Sequence, residues 1–158
     1  MSLIEEWIVD GYNVYHAWRR KDRGVSLADF LMRLSDLAMS PAPSGAERRF
    51  VVVLDGQGDD ADLAPYRTQR CRVLRSGKID ADSYIERLIF ELKAVRRITL
   101  VTDDRPIRQL AHGAGCRTMG TEEFLTLGAS FTKQRGDELD RRRHLDDRQF
   151  NRPFEKLI

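Results

Sequence analysis

The sequence predicts an α/β fold, a mostly parallel sheet with helices on both faces, and three features of the chain carry that expectation. Short apolar strands alternate with segments whose apolar residues recur every three or four positions, the rhythm of strand–helix–strand crossovers. The run Phe50 to Leu54 is continuously apolar and rich in valine rather than alternating, as a strand covered on both sides must be. Strand after strand also leads straight into an aspartate, and in a parallel sheet such ends share one edge.

Taken in order, Glu6 to Asp10 is a short apolar strand stopped by Gly11. Ser26 caps a helix in which Leu27, Phe30, Leu31, Leu34, Leu37 and Ala38 keep helical spacing until Pro41-Ala42-Pro43-Ser44-Gly45 breaks it. The strand Phe50 to Leu54 ends at Asp55-Gly56, Gln57 to Ala64 is acidic and loop-like, and Cys71 to Leu74 forms a third strand between arginines. Asp80 caps a long helix through Arg97, with Ile85, Leu88, Ile89 and Leu92 on one face, and Ile98 to Thr102 is the fourth strand. Asp104 caps the next helix. Pro106 falls in its first turn, where a missing N–H costs nothing, and the helix stops near Gly113-Ala114-Gly115. Cys116 to Met119 is a short fifth strand, and Thr121-Glu122-Glu123 opens a helix through Leu127. The pattern fails beyond Gly128. Residues 1–127 are therefore expected to form the folded domain, and 128–158 a charged C-terminal extension, partly helical or flexible, that includes Arg141-Arg142-Arg143.

The 158 residues suffice for one substantial core without disulfide or metal staples. The two cysteines, Cys71 and Cys116, lie in separate strands and read as inert core thiols, which points to a reducing, cytoplasmic setting. No basic-then-apolar leader opens the chain, and no apolar run approaches the roughly 20 residues of a membrane span. The net charge of +2 announces no partner by itself, but the cations cluster. Arg19, Arg20 and Lys21 follow the first strand-end aspartate, Arg75 and Lys78 precede Asp80, and Arg105 and Arg108 follow Asp104. A cationic rim around an anionic centre suits a phosphodiester substrate, because arginine's planar fork matches phosphate oxygens.

Carboxylates brought together repel unless protonated, hydrogen-bonded or bridged by a cation. Strand ends crowded with aspartates thus ask for a hard divalent ion, Mg²⁺ or Mn²⁺, which takes oxygen ligands, keeps several waters and needs only one or two direct carboxylates. Asp10, Asp82 and Asp104 are the expected metal ligands. Asp55 completes the acidic ring, and the Asn13 amide can orient a water or a phosphate. Asp80, Asp103 and Glu86 stand in reserve, the first two able to act through hydrogen bonds to the ligands. Each acid also has a plainer role: Asp80 and Asp104 as helix caps, Asp55-Gly56 as a turn, Glu86 in an ion pair with Arg87.

Val9-Asp10-Gly11-Tyr12-Asn13-Val14, the strand ending in Asp55, Ala81-Asp82-Ser83-Tyr84-Ile85-Glu86-Arg87 and Val101-Thr102-Asp103-Asp104-Arg105-Pro106-Ile107 together resemble the YacP-like NYN domains, members of the PIN-like group of metal-dependent ribonucleases. The resemblance runs from about Ile4 to Leu127 and is specific because separated motifs occur in the right order. It implies a PIN-like three-layer sandwich, an acidic Mg²⁺ or Mn²⁺ pocket at the carboxyl edge of the sheet, and endonucleolytic action on RNA, with Asp10, Asn13, Asp55, Asp82 and Asp104 at the catalytic positions. Asp80 stands where the family more often resembles threonine, and Asp103 where it resembles serine, so this pocket is expected to be more acidic than usual.

Other chemistries lack their residues. Haloacid dehalogenase phosphatases place a second aspartate two positions after the first, where this chain has Tyr12. Ser76-Gly77-Lys78 lacks the leading glycine and closing hydroxyl of a phosphate-binding loop, no Gly-x-Ser-x-Gly elbow occurs, and Gly113-Ala114-Gly115 follows a helix rather than a strand. His16, His112 and His144 match no zinc spacing. A receiver-type signalling domain would need a lysine after a late strand, and Met119-Gly120 offers none. The rival that sequence leaves standing is a non-catalytic RNA-binding protein of the same fold.

Overall fold

The computed structural model describes residues 3–40 and 44–128. Its centre is a five-stranded, wholly parallel sheet in the order β3-β2-β1-β4-β5. The strands are β1 (Ile4–Asp10), β2 (Glu47–Leu54), β3 (Cys71–Arg75), β4 (Arg97–Val101) and β5 (Arg117–Met119). The first strand pairs with both β2 and β4, so the chain winds outward one way as far as β3 and then the other way through β4 and β5. That reversal opens a crevice at the carboxyl ends of β1 and β4, the place where open α/β sheets put their ligands.

Pleat alternation sorts the core into two layers. One face presents Ile8, Val51, Val53, Ile98 and Leu100 to α3 (Ala81–Leu92) and α4 (Arg105–Gly113), which answer with Ile85, Leu88, Ile89, Ile107 and Ala111. On the other, Trp7 meets Phe50 edge-on at 5.9 Å, and both rings pack on Phe124. This side also carries α1 (Gly11–Lys21) and α2 (Leu27–Ala38), joined through Tyr15 and Phe30 with ring centroids 5.6 Å apart. The Ser26 cap is a reciprocal box with Asp29, each side chain bonding the other's backbone N–H at 3.1 Å. Cys71 and Cys116 are free and buried. Burial pushes the Cys71 thiol up to about 11, so it stays protonated and inert.

The structure departs from the sequence expectation at several boundaries. Gly11 does not merely stop β1; it begins α1. A Cβ there would stand 2.6 Å from Leu54 Cδ2 and 2.9 Å from the Val53 carbonyl oxygen, so glycine is what lets the helix start against β2. The helix expected through Arg97 ends at Leu92, and Arg97 opens β4. Within Gln57 to Ala64 lies the beginning of a 3₁₀ helix, Asp60–Tyr66, capped by Asp59. A further helix opens at Thr121, as expected. The described residues up to Leu125 form one compact unit. The expectations for 129–158, with Arg141 to Arg143, and for the Pro41 to Pro43 break lie outside the described residues.

Candidate active site

Asp10 is the last residue of β1, Asp55 follows β2, Asp82 lies in the first turn of α3, and Thr102-Asp103-Asp104 links β4 to α4. Sequentially distant acids thus meet at the crevice. The Asp10 carboxyl is pushed up to about 6, first by burial and then by the negative charges of Asp82, Asp104 and Asp55. Asp82 is raised in turn, first by burial, then by Asp104, Asp80 and Asp55. Charge effects of this kind require the acids named to lie within electrostatic reach of Asp10 and Asp82.

Hydrogen bonds fix three of the four carboxylates, each through one oxygen. Thr102, fully buried, donates its hydroxyl to Asp10 Oδ2 at 3.0 Å and accepts the Asp104 backbone N–H at 3.1 Å. One hydroxyl therefore ties the end of β1 to the start of α4. Asp104 Oδ1 caps α4 by accepting the Ile107 N–H at 3.1 Å, and Asp55 Oδ1 accepts the Ala81 N–H at 2.9 Å, pinning the end of β2 to the start of α3. Asp82 makes no hydrogen bond or ion pair among the described residues. None of Asp10, Asp55, Asp82 and Asp104 is ion-paired among the described residues.

The reserve acids divide differently. Asp80 is the exposed N-cap of α3, its Oδ1 accepting the Ser83 N–H at 2.7 Å, which lowers its pKa. Asp103 turns away from the pocket: Oδ1 accepts the Thr121 N–H at 2.9 Å and Oδ2 its hydroxyl at 2.5 Å. Those bonds, with Arg108 and Arg20 nearby, hold it below the usual carboxylate range. Glu86 stands one helical turn beyond Asp82 and is half-buried. Asn13, in the first turn of α1, accepts the Asp103 N–H on Oδ1 at 3.0 Å, so only its amide hydrogens remain for a ligand.

Among the cations, Arg105 and Lys78 are exposed near the carboxyl edge, Arg108 and Arg20 lie toward Asp103, and Arg19 sits over the Tyr15 ring. Lys21 is bound to Glu122. The Arg75 side chain runs across Gly58, where a Cβ would stand 2.6 Å from its Nε. Sequence reasoning missed the hydroxyls. Thr102 and Thr121 stood unremarked beside the acids, and Ser76, dismissed with its tripeptide, is buried and donates toward no phosphate: its Oγ accepts the Gly56 N–H at 2.9 Å and locks the Asp55 loop.

The donor set is hard and all-oxygen, which fits Mg²⁺ or Mn²⁺. Among the described residues no three Asp, Glu, His or Cys side chains gather tightly enough to form a ready-made metal cage.

The sequence matches the YacP-like NYN domain family over residues 7–157. The chain belongs to that family. The match continues through the charged segment, past the Leu127 limit of the motif resemblance. Among solved structures this NYN domain is similar to Rae1 (YacP) from Bacillus subtilis, with 22% identity and a TM-score of 0.65 over 89% of this chain and 81% of that one. A tryptophan-to-leucine mutant of the same protein matches at 21% identity and a TM-score of 0.60, over 82% of this chain and 78% of that one. Those likenesses establish the PIN-like fold. No curated protein matches the chain. No helix among the described residues is long and apolar enough to cross a membrane.

Proposed function

We propose that this NYN domain is a divalent-metal-dependent endoribonuclease that hydrolyses RNA phosphodiester bonds at the acidic crevice. One observation carries the reading: Asp10, Asp55, Asp82 and Asp104 come from separate segments of the chain, the negative charges around Asp10 and Asp82 add to burial in raising those two carboxyls, and no cation side chain among the described residues is paired with any of the four. Nothing in a packed core rewards that crowding. Asp10, Asp82 and Asp104 would hold Mg²⁺ or Mn²⁺, with Asp55 beside them. When bound, such an ion supplies charge neutralisation and lowers the pKa of attacking water.

The chain's own residues set the stage for that chemistry. Thr102 fixes Asp10 through Oδ2, while Asp55 and Asp104 each spend one oxygen on a helix N-terminus, so the second oxygen of each carries no hydrogen bond among the described residues. The Asn13 amide hydrogens can hold a phosphate oxygen or a water at the mouth of the site. Arg105, Arg108, Arg19 and Arg20 offset the repulsion between the acids and an incoming polyanion.

Asp82 gives the cleanest test because no described hydrogen bond depends on it. RNA cleavage should require Mg²⁺ or Mn²⁺, stop in EDTA, and fall by orders of magnitude in Asp82→Asn at unchanged melting temperature. Full cleavage by that variant, or by wild type in EDTA, rules the reading out.

A further inference from the structure

The outward face of α1 carries a feature that neither the core nor the acid pocket requires. Tyr12 and His16, one turn apart, lie with ring centroids 5.9 Å apart and planes only 22° from parallel. Tyr12 is half-buried and His16 exposed. The helix anchors itself with other residues: Val14, Tyr15 and Ala17 are its buried side chains, and Tyr15 supplies the aromatic contact to Phe30. Helical spacing continues the Tyr12–His16 stripe to Arg19 and Arg20, both exposed. Helical side chains lean toward the N-terminus, so the stripe begins at the rim of the pocket beside Asp10 and runs away from it.

A flat ring pair at the lip of a phosphodiester site, followed by arginines, has the chemistry of a nucleobase platform. Every base offers a π-face, and stacking on an aromatic side chain tolerates any sequence. A base inside a duplex has both faces covered by its neighbours and cannot use such a platform.

We propose that Tyr12 and His16 form a stacking subsite for one unpaired base flanking the scissile phosphate, with Arg19 and Arg20 contacting the phosphates beyond it. The inference rests on the nuclease reading and adds to it the residues that distinguish unpaired from paired RNA. It assigns His16 a surface role that the acid chemistry does not use.

The test uses full-length protein carrying Asp82→Asn, so that RNA stays intact in Mg²⁺, and a short single-stranded RNA with one 2-aminopurine. Binding should quench the fluorescent base. Adding Tyr12→Ala or His16→Ala should abolish the quench and weaken binding by about tenfold, whereas Tyr12→Phe should preserve both. A duplex competitor should bind all four proteins equally. In the Asp82-containing enzyme the alanine changes should raise KM for single strands and spare kcat. Alanine variants that bind and quench like their parent overturn the subsite and leave the nuclease reading intact. If the parent binds no RNA and wild type cleaves none, both fall together.

Discussion

Replacing Asp10 with asparagine should stabilise the metal-free protein while destroying its activity. The carboxyl is pushed from 3.8 up to about 6, which at 1.36 kcal/mol per unit means that burial and acidic neighbours cost the ionised native state about 3 kcal/mol. A raised carboxylate favours the folded state at low pH, where the native protein keeps a proton that the unfolded chain has lost. The penalty is therefore absent below about pH 4, accumulates as pH rises, and is complete once pH passes the folded value of about 6. Asparagine keeps the shape and still accepts the Thr102 hydroxyl, but carries no charge. In EDTA at pH 8, Asp10→Asn should gain about 1–3 kcal/mol in urea denaturation, worth roughly 2–4 °C in Tm per kcal/mol for a chain of this size. At pH 4 the two proteins should unfold alike. Saturating Mg²⁺ should raise the wild type and not the variant, because ligand binding to the folded state alone adds stability. A variant that is less stable than wild type at pH 8, or whose gain ignores pH, refutes the electrostatic account.

Thr102→Val should cost about 1–3 kcal/mol, since it leaves the Asp104 N–H without its acceptor. Loss of the hydroxyl also removes a bond that favours ionised Asp10, so the acid limb of the cleavage profile should move to higher pH, read from rates between pH 5 and 8. Asp104→Asn should change stability by less than about 0.5 kcal/mol, because asparagine caps a helix as well as aspartate, yet reduce cleavage by orders of magnitude. Equal activity there would demote Asp104 to a cap. Gly11→Ala should destabilise by about 1–3 kcal/mol, as its Cβ would collide with Leu54 and the Val53 carbonyl; a melting curve unchanged from wild type would contradict the packing at that turn.

The parallel sheet and the helices α2, α3 and α4 were legible because their signals are local: valine runs, apolar spacing, and the caps Ser26, Asp80 and Asp104. What failed was also local, but overridden from elsewhere. Gly11 reads as a strand stop, and only the approach of β2 explains why a helix begins there. Lys93 to Arg96 has no glycine or proline to end a helix, so the boundary at Leu92 is set by Arg97 pairing into the sheet beside Glu5. In the site, acids announced themselves as strand-end carboxylates, whereas their anchors did not. The Thr102–Asp10 bond joins residues 92 positions apart, and the Asp103–Thr121 pair, 18 apart, turns one of the reserve acids out of the pocket. Neither partner has a spacing that marks it in sequence.

Crystals soaked in Mn²⁺ and measured for anomalous scattering ask directly whether these side chains hold an ion. The account predicts a manganese peak bounded by Asp10, Asp82 and Asp104 that vanishes in Asp82→Asn. Manganese bound elsewhere, with that crevice holding only water, would contradict it.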